Sequence, residues 1–164
     1  MFIQKLYKFF FYIVIASLLL LGYNFYQNYK FDNNPLPQAM QEEIFAKKQD
    51  TRRLLMQHYG FDLDVPINIS DKLPNNLYGV AVYNENKKII IYLNKKRFKE
   101  SSNYMINNVL PHEYAHAVMF SLGDFSHEKS GHSKKWQDIC TNIGGLKCSQ
   151  FVDHHDIIIG KTSF

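Results

Sequence analysis

The chain of 164 residues is 46% hydrophobic and 15% aromatic, enough for one packed domain plus an anchor or tail and too apolar for a disordered polymer. Its formal charge of +4 is unevenly spread: residues 1–30 hold Lys5, Lys8 and Lys30 and no acid, so removing three of the 19 basic residues leaves 16 against 15 acidic ones. So neutral a remainder argues against a nucleic-acid-binding surface, and two cysteines exclude both a disulfide scaffold and a four-thiolate zinc ribbon.

The first element is an uncharged run from Phe9 to Tyr23 that Phe25 and Tyr26 extend. At about 1.5 Å per residue, a helix from Leu6 to Tyr26 covers the roughly 30 Å of a bilayer's hydrocarbon, with Lys5 and Lys8 at one end and Tyr23, Tyr26 and Tyr29 as an aromatic belt at the other. No small-x-small cleavage site follows the leucines, so residues 1–30 read as an uncleaved signal anchor rather than a signal peptide. The basic flank precedes the span, which predicts a cytoplasmic N-terminus and an extracytoplasmic domain. From Gln27 to Pro37 the chain reads as polar and extended, with 31–37 as linker.

A domain over 38–150 follows. Pro37 stands at a helix start, Met40, Ile44, Thr51 and Leu55 keep near-helical spacing, and Gly60 closes the helix. Three short strands come next: Val65 to Ile69, where Pro66 suits an edge, then Leu77 to Tyr83 and Lys88 to Leu93 around a turn at Asn84–Lys87. The unbroken Ile89–Ile91 suggests a strand covered on both faces, and the basic cluster Lys95–Lys99 reads as a solvated loop. After an N-cap at Ser101–Ser102, Met105, Ile106, Val109, Leu110, Ala117, Val118 and Leu122 form an apolar helical stripe ended by Gly123, with Pro111 predicting a kink or fresh start inside it. A last helix is expected from Ser133 to Asn142, with Trp136, Ile139, Cys140 and Ile143 on one side and Gly144-Gly145 closing it. Cys140 and Cys148 read as two partly buried free thiols, a disulfide across a turn being the alternative. The tail 151–164 carries His154-His155 between Asp153 and Asp156, read as solvated rather than as a second metal site.

Within the stripe stands His112-Glu113-Tyr114-Ala115-His116. Residues four apart on a helix share a face, so His112 and His116 can aim two imidazoles at one ion, and Glu113, rotated beside them, can serve as general base. Hydrolytic zinc needs a third protein ligand and an open position. His132 is preferred because it precedes a helix anchored by Trp136 and follows Gly131; His127 and Glu128 remain alternatives. One Zn2+ per chain and hydrolysis of a protein or peptide substrate follow. Tyr114 is expected to pack or to face solvent.

The strand pair Leu77-Tyr78-Gly79-Val80-Ala81 and Ile91-Tyr92-Leu93-Asn94, the H-E-Y-A-H helix, and Ser130-Gly131-His132-Ser133-Lys134-Lys135-Trp136 ahead of Gly144-Gly145 resemble the SprT-like zinc metallopeptidases, which include the eukaryotic Spartan proteases. The resemblance spans about Asp62 to Leu146. It implies an α+β, zincin-like core with a small antiparallel sheet packed on the active-site helix, here behind one transmembrane helix. It maps His112, Glu113 and His116 onto the family's motif and His132 onto its third ligand. The anchor and the lack of a zinc ribbon favour a membrane-tethered peptidase over a DNA-associated protease; a zinc-stabilised binding module is the non-enzymatic alternative. The membrane is thus a partner through the N-terminal helix, nucleic acid is not an expected one, and oligomeric state is left open.

Overall fold

A computed structural model describes residues 2–125 and 131–149, in two compact units, Met1–Pro37 and Gln38–Phe164. His127, Glu128 and the tail with His154 and His155 lie outside the described residues.

The first unit is one helix, α1 (Phe2–Asn33), none of whose residues is buried. It is long and apolar enough to cross a membrane. The helix continues to Asn33, where the sequence suggested extended chain from Gln27, because Tyr26, Tyr29 and Phe31 carry the apolar pattern on and no helix breaker intervenes before Pro35.

The second unit is α+β. Helix α2 (Gln38–Tyr59) buries Ile44, Thr51 and Leu55 and ends at Gly60. Strands β1 (Ile67–Ser70), β2 (Gly79–Tyr83) and β3 (Ile89–Asn94) form a sheet of order β1-β3-β2. β2 and β3 make the expected hairpin, with Val80 opposite Tyr92, closed by the amide of Asn84 donating to Lys88 O at 3.0 Å. β1 runs parallel to β3, Ile67 beside Ile91, so the sheet is mixed rather than antiparallel. The link from Ser70 to Gly79 crosses over β3 and delivers β1 to its far side; Pro66 stands just outside the edge strand and accepts from the Ile91 amide at 2.9 Å. β3 is therefore central, with Ile91 and Leu93 fully buried.

Buried Asn94 anchors the sheet's end: its side-chain amide donates to Leu77 O at 2.7 Å and Pro74 O at 3.1 Å, while its Oδ1 accepts from the Lys96 amide. The basic cluster thereby becomes a short helix, α3 (Lys95–Phe98), with Phe98 buried, rather than a loop. α4 (Ser102–Tyr104) starts on Ser101, whose hydroxyl accepts from the Tyr104 amide at 3.1 Å.

The expected disturbance around Pro111 is a π-helical segment, Met105–Val109, leading into α5 (Leu110–Ser121). Proline has no N–H for the carbonyl of Asn107 four residues back, and a widened turn accommodates both the missing bond and the ring. The Leu146 amide approaches that carbonyl at 3.5 Å instead. Leu122, assigned to the buried stripe, is 47% exposed because α5 has already ended there.

α6 (Lys134–Asn142) is capped by Ser133 Oγ, which accepts from the Trp136 amide. Its far end is held to α2 by Lys47 Nζ donating to Gly144 O at 2.8 Å and by Asn142 Nδ2 donating to the Tyr59 hydroxyl at 3.0 Å. Cys140 and Cys148 are joined in a disulfide with Cα atoms 5.9 Å apart, where free thiols were expected. The turn at Gly144-Gly145 folds the chain back so that the two residues meet within ordinary cystine reach.

Candidate metal centre

α5 presents His112 and His116 one turn apart on the same face, and the chain returns after Gly131 to place His132 opposite them, one residue before the Ser133 cap of α6. Gly131 adopts φ +83° against the His116 ring, a left-handed turn that side chains other than glycine's strain to make. The three Nε2 atoms converge: His132 lies 3.1 Å from His112 and 3.2 Å from His116. These three form a candidate metal-holding group whose ligand atoms all lie within 4.8 Å of one another.

The donor set fits zinc. Tetrahedral ligation with Zn–N near 2.0–2.1 Å separates ligand nitrogens by about 3.3 Å, close to the observed spacing. Burial, followed by the neighbouring histidines, pushes His112 down to about 3. Burial, followed by His132, pushes His116 down to about 4. Both are therefore neutral ligands at physiological pH. Fully buried Trp136 backs the cluster, its ring centroid 4.6, 5.1 and 4.5 Å from those of His112, His116 and His132. Its Nε1 is buried without a hydrogen-bond partner among the described residues. One indole thus limits the rotation of all three imidazoles and walls the site from water on that side.

Glu113 is buried, 7% exposed, and its Oε2 accepts from the Ala81 amide of β2 at 3.0 Å. Burial pushes the carboxyl up to about 8, the Ala81 amide opposing it. Gly79 makes room: a Cβ there would sit 2.8 Å from Glu113 Cγ and 3.1 Å from Val109 Cγ1. The absent Cβ lets β2 press against α5 and leaves room for the Glu113 side chain to reach the Ala81 amide.

Tyr114 faces the other way and is wholly buried. Its hydroxyl donates to Leu63 O and accepts from the Val65 amide at 3.5 Å, tying α5 to the segment entering β1; burial pushes it up to about 12. That segment is held to α2 by Arg52 with Asp62 and by Lys48 with Asp64 at 2.5 Å.

The structure therefore brings the imidazoles of His112, His116 and His132 together, while Glu113, next to His112 on α5, is buried with its carboxyl on the Ala81 amide. The contributions of Gly79 and Ala81 to holding Glu113, and of Trp136 to all three imidazoles, were not read from the sequence. The Glu113–Ala81 bond joins residues 32 apart and has no local sequence signal; only the Trp136 position, four residues after His132 and one turn into a helix, hinted at its place.

A protein-family model described as the SprT-like family matches residues 42–155, more than half of the chain. No curated protein and no solved structure gives a match.

Proposed function

Because the chain belongs to the SprT-like family, a family of zinc-associated, protease-like domains, we propose that it is a membrane-anchored zinc metallopeptidase in which Glu113 is the general base. The observation that carries this reading is the convergence of three imidazole nitrogens, with buried Glu113 next in sequence to the first of them, within the family-matched domain. His112, His116 and His132 would hold the ion, leaving one tetrahedral position open. Bound there, zinc supplies Lewis acidity that polarises a scissile carbonyl and lowers the pKa of water towards about 7.

The chain's own groups do the rest. The Ala81 amide fixes Oε2 of Glu113, so the carboxylate stays oriented without spending side-chain freedom at the moment of reaction. A carboxylate whose proton affinity burial has raised accepts a proton from the attacking water and returns it to the leaving amine. Trp136 keeps bulk water from the back of the imidazoles.

The test is Glu113→Gln in the full chain. Cleavage of a protein substrate should fall by about 10²–10⁴-fold, while metal analysis still finds one zinc per chain. A variant that cleaves as fast as the parent would overturn the assigned base.

For location, we infer that α1 spans the membrane with its N-terminus in the cytoplasm and the domain outside. Lys5 and Lys8 precede the span and only Lys30 follows closely. The Cys140–Cys148 disulfide supports the same side, since cystines persist in oxidising compartments. Nucleic acid is not a favoured partner of a domain with so little excess positive charge.

A further inference from the structure

Among the described residues, β2 is an edge strand. Tyr78 and Asn84 exchange bonds with Asn94 and Lys88 of the β3 side, so the alternate residues Gly79, Ala81 and Tyr83 turn their backbone groups outward, as the Ala81 amide does in reaching Glu113. An extended peptide laid along this edge would therefore pass the general base at Ala81. Two residues further along β2, about 7 Å on, stands Tyr83, 38% exposed. Its ring belongs to a triangle with Phe125 at 5.0 Å and Phe120 at 6.2 Å; Phe120 and Phe125 stack at 5.6 Å. Phe120 lies one helical turn beyond His116 on α5, and Phe125 is 48% exposed. The triangle is thus the next feature beyond the catalytic residues along both elements that carry them. Tyr83 shares the sheet face of Ile91 and Leu93 but lies at its outer end, paired with Ile89, so with Tyr83 and Phe125 exposed and Phe120 half-buried the triangle forms an apolar wall at the rim of the core.

We propose that Tyr83, Phe120 and Phe125 form a side-chain subsite that selects a bulky apolar residue in an extended peptide, about two residues from the bond that is cleaved. This rests on the peptidase reading above. Edge pairing supplies sequence-independent binding through the backbone, and the ring triangle supplies the choice of side chain. Burying one large apolar side chain there gives a preference over alanine on the order of 10–100-fold.

The experiment uses the full chain, zinc-loaded in detergent micelles, with quenched-fluorescence peptides carrying Phe, Leu, Ala or Asp at each position from three before to three after the cleaved bond. The parent is expected to prefer Phe and Leu over Ala in kcat/KM at a position about two residues from that bond. Tyr83→Ala and Phe125→Ala should each collapse that ratio towards unity while keeping one zinc per chain. Phe45→Ala, which removes an exposed aromatic of α2, should leave it unchanged. Cleavage without an apolar preference, or a preference unmoved by both variants, overturns the subsite and leaves the peptidase reading standing. A zinc-loaded parent that cleaves none of the peptides overturns the peptidase reading itself, and the subsite with it. Variants that match the parent in micelles but differ from it in lipid nanodiscs would assign the rings to the bilayer surface, which also overturns the proposal.

Discussion

Glu113 is the residue on which the proposed chemistry depends, and its position is set by two others. Gly79 admits it and Ala81 holds it. Gly79→Ala puts a methyl 2.8 Å from Glu113 Cγ, and both sides are packed too closely to yield. We expect a stability loss of about 1–3 kcal/mol from overpacking and a larger proportional loss of activity, with zinc content unchanged; a variant of parental activity would show that the carboxylate does not need this seat. The same burial governs pH dependence in the metal-stripped protein. His112 and His116, held down to about 3 and about 4, stay neutral in the fold while the unfolded chain protonates them below about 6.5, so stability falls as pH drops through that window. Glu113, pushed up to about 8, stays protonated in the fold while the unfolded carboxyl ionises near 4.5, so its contribution is lost as pH rises towards 8. Two histidines outweigh one carboxyl below about 6.5 and the carboxyl acts alone above it. Thermal unfolding with chelator present should therefore show maximal stability near pH 6.5, and Glu113→Gln should remove the alkaline decline.

At the scale of elements, what could be read from sequence was what is local. The histidine pair four apart, the cap at Ser101, the turn at Asn84–Lys87 and the disturbance at Pro111 each depend on neighbours within a few residues, and each is where the sequence placed it. Features joining distant segments were not legible. The parallel pairing of β1 with β3 depends on a crossover whose composition fixes no direction, the length of α1 depends on where polar residues cease to favour helix, and Cys140 and Cys148 could equally have stayed apart. The disulfide also has an element-scale consequence. It closes the loop that carries Leu146 to the Asn107 carbonyl, beside the π-helical turn leading into His112. With eight residues of separation, the cross-link is worth about 2–3 kcal/mol by the loop-entropy relation. Cys140→Ala with Cys148→Ala should lower the unfolding midpoint accordingly and weaken zinc retention against a chelator less than Trp136→Ala does, because the indole touches the imidazoles directly and the disulfide acts only through the backbone. Equal losses of zinc in the two variants would contradict that division.

For the whole molecule, two arguments of different physical origin favour the same side of a membrane for the proposed topology. One is electrostatic and local to α1: Lys5 and Lys8 precede its apolar run and a single lysine, Lys30, follows it. The other is redox chemistry in the second unit, where Cys140 and Cys148 are paired. Neither depends on the other, since a charge bias would act during insertion and a cystine would report the compartment afterwards. A thiol-containing cytosol would reduce a cross-link of this kind over time, whereas an extracytoplasmic domain would keep it. Full-length protein isolated from intact cells with alkylating reagent present should therefore carry no reactive Cys140 or Cys148 until it is unfolded and reduced, and a C-terminal reporter that matures only outside the cytoplasm should be active. Exchanging Lys5 and Lys8 for glutamine while adding two lysines after Lys30 should reverse the orientation, silence that reporter and expose both thiols to the reagent. If the reporter is silent in the parent, the electrostatic argument fails; if it is active while both cysteines alkylate freely, the redox argument fails alone.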